Sequence, residues 1–417
     1  MKRSLVATAL VCATLTAWLA FPAIDRSRHA PIDTVIDKAI AKQRIVGAVV
    51  LVASHGRIVF ERAAGYADRE RGERMDMDTV FRFASLTKPI VSVAAMRLVE
   101  QHRIGLDDPV SRWLPSFKPQ LPDGDTPAIT IHQLLTHTAG LSYAFLQPDD
   151  GPYRKAGVSD GLDQPDLTLH ENLSRIASVP LDFRPGTRWQ YSIALDVLGA
   201  AMESATRETL PQIVQQQVTN PLAMNATGFR VDASARLATP YQDGSRAPVR
   251  MASEAAVRFG TSSMRFTPAR IYDAHAYPSG GAGMAGTAPD FMRFLLALRA
   301  SRLASDGLLE PQTIALMMRD HVGPQAQAQG PGWGFGYGWA VLDDPVPAQT
   351  PQARGTIGWG GAYGHAWFFD PVNDLIVVAL TNTAFEGASG AFPRALRDAV
   401  YRAYGPSLAA RRTKNGG

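Results

Sequence analysis

Ser85 and Lys88 form a pair that could carry out nucleophilic catalysis. They begin and end the tetrad Ser-Leu-Thr-Lys (85–88), and residues three apart lie on one face of a helix. The helix predicted over 85–103 is apolar on nearly every face, so we expect it to be buried. Pro89 suits a first helical turn and places Ser85 at the positive helix end. A serine needs a base to become nucleophilic, and Lys88 can serve if burial or a partner lowers its pKa.

Two other short motifs point to different functions but lack the context they need. Ser159 lies in a G-x-S-x-G pattern at 157–161, yet no strand precedes it to deliver the serine onto a sharp turn. We therefore expect Ser159 to be a loop residue. The G-x-G-x-x-G pattern at 281–286 follows Pro278 and two glycines instead of a buried strand, so we do not expect it to bind a dinucleotide.

Composition excludes several classes of protein. The chain has 417 residues, 46% hydrophobic and 19% charged, which is typical of a globular protein with a large core. Five cationic residues at the two ends account for more than the net charge of +4, so no nucleic-acid partner is expected. The single cysteine excludes an intramolecular disulfide framework. His132 and His137 are five residues apart and fall on different helix faces, so we expect neither a metal site nor a cofactor.

The N-terminus has the pattern of a targeting segment. Lys2 and Arg3 precede an apolar run of 17 residues over 5–21, which predicts a signal peptide or membrane anchor at 1–23. A clean small-x-small cleavage site is missing and the run is at the short limit of a membrane span, so cleavage and anchoring both stay open, as does a buried helix. We predict export to the periplasm, with membrane contact only through such an anchor, and an unstructured tail at 411–417.

Strand patterns occur at both ends of the chain and helical patterns between them. Hairpins are predicted at 47–64 and 366–381, and residues 332–339, where glycines alternate with aromatic residues, predict one further strand. Antiparallel hairpins favour an α+β fold, an antiparallel sheet flanked by helices with an inserted, mostly helical domain. We assign 31–110 and 275–405 to a discontinuous sheet domain and 111–274 to the helical domain.

Two later segments complete a recognisable pattern. Tyr191 lies in Trp-Gln-Tyr-Ser-Ile-Ala-Leu-Asp-Val-Leu-Gly (189–199), ahead of a helix predicted near Ile193, and Trp-Gly-Gly (359–361) lies in a glycine-bearing strand. With the Ser-Lys tetrad, and in this order, they resemble the serine β-lactamase/penicillin-binding superfamily on its class C side. The chain is most similar to the family VIII bacterial carboxylesterases, which deacetylate cephalosporins. Further matching segments extend over nearly the whole chain, at 134–141, 220–224 and 280–287.

The resemblance implies a class C-like fold and a role for each matching residue. Ser85 would be the nucleophile. Lys88 would accept its proton or would be the cation that lowers the pKa of Tyr191, and Tyr191 would be the base that later protonates the leaving alcohol. The backbone N–H groups of Ser85 and Ala362 would form the oxyanion hole. Gly360 and Gly361 would let the acyl group lie close along the strand.

Two departures from the lactam-binding pattern point to the substrate. Trp359 replaces the lysine of K-T-G, which attracts a substrate carboxylate, and Ile193 replaces the asparagine of Y-x-N, which binds a substrate amide. With Gly360 and Gly361 they would form an apolar substrate-binding surface.

We therefore expect a serine hydrolase that cleaves short-chain, neutral carboxylic esters through an acyl-enzyme on Ser85. The alternatives are a β-lactamase or D-alanyl-D-alanine carboxypeptidase, against which Trp359 and Ile193 argue, and a non-catalytic envelope binding protein. The intact Ser85, Lys88 and Tyr191 argue against the binding protein. The sequence does not predict the oligomeric state.

Overall fold

The computed structural model describes residues 26–164, 166–232 and 235–406. The predicted signal or anchor at 1–23 and the tail at 411–417 lie outside these residues. Among the helices in the described ranges, none is long and apolar enough to cross a membrane.

An eight-stranded sheet, antiparallel throughout, forms the centre of the fold, with the spatial order β10-β11-β12-β13-β14-β1-β2-β3. The strands in chain order are β1 (Gly47–Ser54), β2 (Arg57–Asp68), β3 (Glu73–Arg74), β4 (Phe81–Arg82), β5 (Tyr241–Gln242), β6 (Val249–Arg250), β7 (Ala255–Phe259), β8 (Ser262–Phe266), β9 (Ala285–Gly286), β10 (Trp333–Phe335), β11 (Ala340–Leu342), β12 (Ile357–Gly361), β13 (His365–Asp370) and β14 (Leu375–Thr381). The remaining strands form the two-stranded pairs β4–β9, β5–β6 and β7–β8.

Helices cover both faces of the large sheet. They are α1 (Arg26–Ala41), α2 (Thr87–Glu100), α3 (Ile131–Leu135), α4 (Pro152–Lys155), α5 (Leu169–Ala177), α6 (Ala194–Thr206), α7 (Leu210–Val214), α8 (Ala288–Ser301), α9 (Pro311–Met317), α10 (Glu386–Ser389) and α11 (Ala391–Tyr404). On one face, called here the front face, α2 and α8 pack into the main core; on the back face, α1 and α11 pack against β1, β13 and β14. This is the predicted α+β fold.

The predicted hairpins and helices are confirmed where local chemistry is strong. β1 and β2 are joined by His55 and Gly56, both with positive φ (51° and 75°), as a two-residue hairpin turn requires. β13 and β14 form the predicted C-terminal hairpin. The apolar residues of β1 are buried on both sides of the strand, which is why it lies inside the sheet between β14 and β2.

Two local predictions were wrong. The glycine and aromatic pattern at 332–339 forms the short strand β10 and then a turn into β11, which is closed by the bond from the Gly336 N–H to the Trp339 carbonyl at 2.9 Å. Residues 111–274 contain α3 to α7, but also the hairpins β5–β6 and β7–β8, which helical periodicity did not predict.

The main core joins the two regions that the sequence separates into domains. One continuous cluster holds Val49 of β1, Ile90 of α2, Leu134 of α3 and Leu195 of α6. The helical region is therefore packed directly on the helix that follows Ser85.

Candidate active site

Ser85 lies in a short 3-10 turn, Ala84–Leu86, that leads directly into α2. Ala84, the residue before it, has a φ of +46°, a left-handed conformation that is strained for a residue with a side chain. Such strain is typical of sites where the surrounding structure fixes a functional residue. The result is a half-buried Ser85 at the start of a helix that is buried over most of its length, as the sequence predicted.

Two side chains reach the Ser85 hydroxyl, and a third contacts one of these two. The Lys88 ammonium group donates to Ser85 Oγ at 3.2 Å from one helical turn away. The Tyr191 hydroxyl is 2.6 Å from the same oxygen, although 106 residues separate the two in sequence. Trp359 Nε1 donates to the Tyr191 hydroxyl at 3.4 Å. The structure therefore brings Ser85, Lys88, Tyr191 and Trp359 into one site.

The loop that follows α3 holds Tyr191 in place through backbone hydrogen bonds to the residues on either side of it. The Gln190 N–H donates to the His137 carbonyl at 3.0 Å, and the Ile193 N–H donates to the Ser142 carbonyl at 3.1 Å. His137 is fully buried and its ring lies edge-on to the Tyr191 ring at 5.0 Å. Burial holds the pKa of His137 well below its ordinary value, so this imidazole packs as a neutral ring.

Lys88 is fully buried and sits in surroundings that suit a cation. Besides Ser85, its amine donates to the Gly281 carbonyl at 2.8 Å. It lies 4.6 Å from the centre of the Tyr191 ring and 5.2 Å from that of Tyr143, where the faces of the rings attract positive charge. These contacts hold the Lys88 amine beside Ser85 Oγ.

The end of β12 abuts the turn that carries Ser85. A Cβ on Gly361 would lie 2.4 Å from the Phe83 carbonyl oxygen, so only glycine lets the strand approach this closely. The strand then turns through Gly364, at φ +115°, into β13. Ala362, at the tip of this turn, lines the same cavity as Ser85.

Ile193 does not lie where the sequence predicted. Its side chain is fully buried in the main core at the start of α6, and it is not among the residues that line the cavity. The cause is the backbone bond from Ile193 to Ser142, which turns the residue inward. Ile193 therefore lies beneath the site, whereas Trp359, Gly360 and Gly361 line it.

Sequence reasoning missed three buried polar residues around this site. The hydroxyl of Tyr143 and both carboxyl oxygens of Asp196 lack a hydrogen-bond partner of standard geometry within the described residues. Burial raises the pKa of Asp196 to about 6 and the pKa of Asp160, which lines the cavity, to about 7. The one signal in the sequence was Asp196, an acidic residue inside the apolar run of α6. Burying a charged group without a partner is costly, so an acidic residue at such a position indicates a functional role.

The cavity above Ser85 has a volume of about 880 Å³ and mostly apolar walls. Its lining includes three phenylalanine rings, of which Phe259 contacts the other two: it is 5.5 Å from Phe145 and 5.4 Å from Phe385 between ring centres. Such a surface binds apolar groups in preference to charged ones.

Neither the Ser159 hydroxyl nor the His132 ring contacts the Ser85 hydroxyl. Ser159 is a loop residue, as predicted, but is buried, and its hydroxyl donates to Asp163 Oδ1 at 2.6 Å. His132 contacts the Tyr337 hydroxyl at 2.8 Å, away from His137. Across residues 26–164, 166–232 and 235–406 there is no group of three or more His, Cys, Asp or Glu that could hold a metal ion.

Comparisons with known proteins agree with this geometry. The family model described as Beta-lactamase matches residues 32–402. Esterase EstB of Burkholderia gladioli is 51% identical over 379 residues, which cover 90% of this chain and 95% of that protein. The solved structure of EstCE1, "a hydrolase with promiscuous acyltransferase activity", is 48% identical and covers 90% of this chain and 99% of its own, with a TM-score of 0.88.

A more distant structure shows the fold alone. Simvastatin synthase (LovD) of Aspergillus terreus is 23% identical, covers 91% of this chain and 99% of its own, and has a TM-score of 0.71. The similarity to the esterases extends over nearly the whole chain, and the family match at 32–402 spans the Ser-Lys tetrad, the Tyr-Ser element and the Trp-Gly-Gly strand of this sequence. The chain therefore belongs to the β-lactamase family and, within it, to the family VIII carboxylesterases.

Proposed function

We propose that this carboxylesterase hydrolyses neutral carboxylic esters through an acyl-enzyme on Ser85, with Lys88 and Tyr191 as its proton-transfer partners. The observation that carries the proposal is the position of the Ser85 hydroxyl, within hydrogen-bond distance of both the Tyr191 hydroxyl and the Lys88 amine at the base of an apolar cavity. A nucleophile next to a positioned base is the arrangement that covalent catalysis requires.

In the first half-reaction the proton of Ser85 passes to the Tyr191–Lys88 pair while Oγ attacks the ester carbonyl carbon. The Tyr191 hydroxyl at 2.6 Å and the Lys88 amine at 3.2 Å are both within reach of this proton, and the two groups accept it as a coupled pair. The backbone N–H groups of Ser85 and Ala362 would stabilise the oxyanion. Tyr191 then returns the proton to the leaving alcohol, and water releases the acid by the reverse sequence of steps.

The apolar character of the site favours esters over anionic β-lactams. Trp359 stands where lactam-binding relatives carry a cationic lysine. Two other candidates for that missing charge do not supply it: Arg354 pairs with Asp343 at the surface, and His365 is fully buried with Nε2 against the Arg82 carbonyl. Burial lowers the pKa of His365 to about 4, so it carries no charge at neutral pH.

Steady-state hydrolysis of p-nitrophenyl acetate tests the proposal. Ser85→Ala should lower kcat/KM by at least about a thousandfold, the usual order of loss for a missing nucleophile. Ser159→Ala is the matched control: it removes a buried hydrogen bond at a cost of about 1 kcal/mol in stability and should keep most of the activity. Loss of activity in Ser159→Ala with activity retained in Ser85→Ala would contradict the proposed site.

We also propose that the protein is exported to the periplasm, cleaved or anchored at residues 1–23. The support is the cationic start followed by the apolar run in the sequence. Fractionation of the native host should recover the protein outside the cytosol. Recovery of the full-length chain in the cytosol would refute export.

A further inference from the structure

Five aromatic side chains form a continuous row of ring contacts along one side of the cavity. Between ring centres, Tyr143 is 5.1 Å from Tyr191 and 4.8 Å from Phe145. Phe259 is in turn 5.5 Å from Phe145 and 5.4 Å from Phe385. All five rings line the cavity, and together they are called here the aromatic wall.

The far end of the aromatic wall is packed against the turn that carries Ala362. Phe385 lies 6.5 Å from Phe266, and Phe266 lies 5.0 Å from Tyr363 between ring centres. Phe266 and Tyr363 are buried, and Tyr363 directly follows Ala362 in the chain. Ring contacts therefore connect the proposed proton-transfer residue Tyr191 with the turn proposed to supply an oxyanion N–H.

Phe259 is the outermost ring of the aromatic wall. Its side chain is 37% exposed, whereas that of Phe145 is 6% exposed. It is the last residue of β7, at the tip of the hairpin β7–β8, and it bridges Phe145 of the helical region to Phe385 after β14. Truncation of this ring would therefore open the cavity to solvent between Phe145 and Phe385.

The hairpin β7–β8 fixes the position of Phe259. Its two strands pair over five residues, with Phe259 opposite Ser262. The hydroxyls of Ser262 and Ser263 donate to Asp149 Oδ1 at 2.9 and 3.1 Å, and Arg154 of α4 donates to the Ser263 carbonyl. These bonds tie the hairpin to the segment around α4, so Phe259 is a held part of the wall.

The acyl half of an ester would lie on the side of the aromatic wall. The alcohol oxygen must lie against the Tyr191 hydroxyl, from which it takes its proton. That hydroxyl also accepts from Trp359 Nε1 at 3.4 Å, which directs the alcohol to the Trp359 side. The acyl group diverges from the alcohol at the tetrahedral carbon bound to Ser85, and it is therefore directed away from Trp359, toward the wall.

The other residues on this side of the cavity suit an apolar group. Leu162 and Met264, the latter on the same hairpin as Phe259, also line the cavity. The carboxyl of Asp160 lines it too, but that group already accepts the Ala144 N–H at 2.8 Å. A short apolar acyl group would thus contact apolar side chains and would be bounded on its outer side by a ring.

We propose that Phe259 sets the upper limit on the length of the acyl group that the site accepts. The inference rests on the proposed function, since it assigns one side of the cavity to the acyl half of the ester. A longer acyl group must displace a ring that two aromatic neighbours and a tied hairpin hold in place. The limit agrees with the short-chain esters that the sequence predicts.

A series of p-nitrophenyl esters from acetate to octanoate tests the proposal. In the unaltered protein kcat/KM should be lower for the octanoate than for the butyrate. Phe259→Ala removes the outer ring and should raise the octanoate-to-butyrate ratio at least about tenfold, the order of effect of a single methylene in a hydrophobic pocket. Phe259→Trp enlarges the ring and should lower the ratio, which gives a second reading if the alanine variant loosens the hairpin.

Arg258→Ala is the matched control. Arg258 is the exposed neighbour of Phe259 on β7 and does not line the cavity, so this variant should keep the ratio of the unaltered protein. An unchanged ratio in both Phe259 variants, or a preference of the unaltered protein for the octanoate, would overturn the proposal. So would a change confined to alcohol length in a series of acetate esters. Absence of hydrolysis of every ester by the unaltered protein would instead refute the proposed function itself.

Discussion

Trp359 is the residue that most distinguishes this site from a lactam-binding one. Its indole nitrogen donates to the Tyr191 hydroxyl, and its ring lies 5.2 Å from Tyr191 and 5.4 Å from Phe335 between ring centres. In the proposed site this side chain presents apolar surface where the resemblance to lactam-binding enzymes implies a lysine that attracts a carboxylate. It also helps to hold Tyr191 beside Ser85.

A cephalosporin with an acetyl ester side group offers both reactions in one molecule. We expect loss of acetate with the β-lactam ring intact or opened only slowly. A charged hydrogen bond to the substrate carboxylate in the lactam-binding orientation contributes about 1.5–3 kcal/mol, and without it opening of the ring is disfavoured roughly 10- to 150-fold. Mass spectrometry of the products distinguishes the two reactions. Ring opening at a rate comparable to acetate release would contradict the role of Trp359.

At the residue scale, the sequence predicted what local spacing controls. The tetrad spacing places Lys88 one turn from Ser85, and the position of Tyr191 followed from the family resemblance. The sequence could not predict that Tyr143 and Asp196 would come close to Lys88, since their meeting depends on the packing of α6 and the loop after α3. The prediction that Ile193 lines the substrate site was wrong for the same reason, because its burial depends on a backbone hydrogen bond to Ser142, far away in sequence.

Among the elements, the turn between β12 and β13 has the greatest influence on the site. A Cβ on Gly364 would lie 2.2 Å from the Thr383 carbonyl oxygen, and its φ of +115° is outside the range that other residues adopt. The turn is therefore possible in this form only with glycine, and Ala362 at its tip depends on it.

Gly364→Ala should lower both stability and activity. We expect a loss of about 2–3 kcal/mol in the free energy of unfolding from the steric conflict, with a fall in kcat because the Ala362 N–H shifts. Gly72→Ala is the control, as its φ of +69° is also positive but a Cβ would meet nothing within 4 Å. It should cost about 1 kcal/mol and leave kcat unchanged. Equal effects of the two variants, measured by urea unfolding and ester hydrolysis, would contradict this account.

The elements were predictable where a local turn or a long apolar pattern fixes them. The β1–β2 hairpin follows from Gly56, and α2 from its apolar run. The pattern at 332–339 was misleading because glycines and aromatic residues continue to alternate through the turn at 336–339, after strand β10 has ended. The hairpins within 111–274 have strands of only two to five residues, and they pair with each other outside the large sheet. Such short strands show too few alternations of apolar and polar residues to be recognised in the sequence.

For the molecule as a whole, the main core and the site are one packed unit. Asp160 illustrates the consequence, because it is buried beside the cavity and its carboxylate accepts the Ala144 N–H at 2.8 Å. Asp163 and Arg154 are the charged groups that act on it. Burial raises its pKa from 3.8 to about 7, with a further increase from Asp163.

This pKa makes stability depend on pH. Between about pH 4 and 7 the folded protein binds this proton and the unfolded chain does not, so the contribution of Asp160 to the free energy of unfolding falls as pH rises. An asparagine at this position does not titrate, so the variant Asp160→Asn avoids this loss. Its free energy of unfolding, taken relative to that of the unaltered protein, should therefore be higher at pH 8 than at pH 4 by on the order of 3 kcal/mol. Urea unfolding at both pH values measures it. If the difference in free energy of unfolding between the variant and the unaltered protein is the same at pH 4 and pH 8, Asp160 is not a buried carboxyl that titrates in this range.

The central claim, that ester cleavage proceeds through an acyl group on Ser85, is tested most directly by trapping that group. The protein is mixed with p-nitrophenyl acetate, quenched in acid during turnover and examined by mass spectrometry, intact and after proteolysis. We expect a gain of one acetyl group on the peptide that carries Ser85, and none in Ser85→Ala. An acetyl group on any other residue, or hydrolysis with no adduct under conditions where p-nitrophenol is released in a burst, would contradict the account.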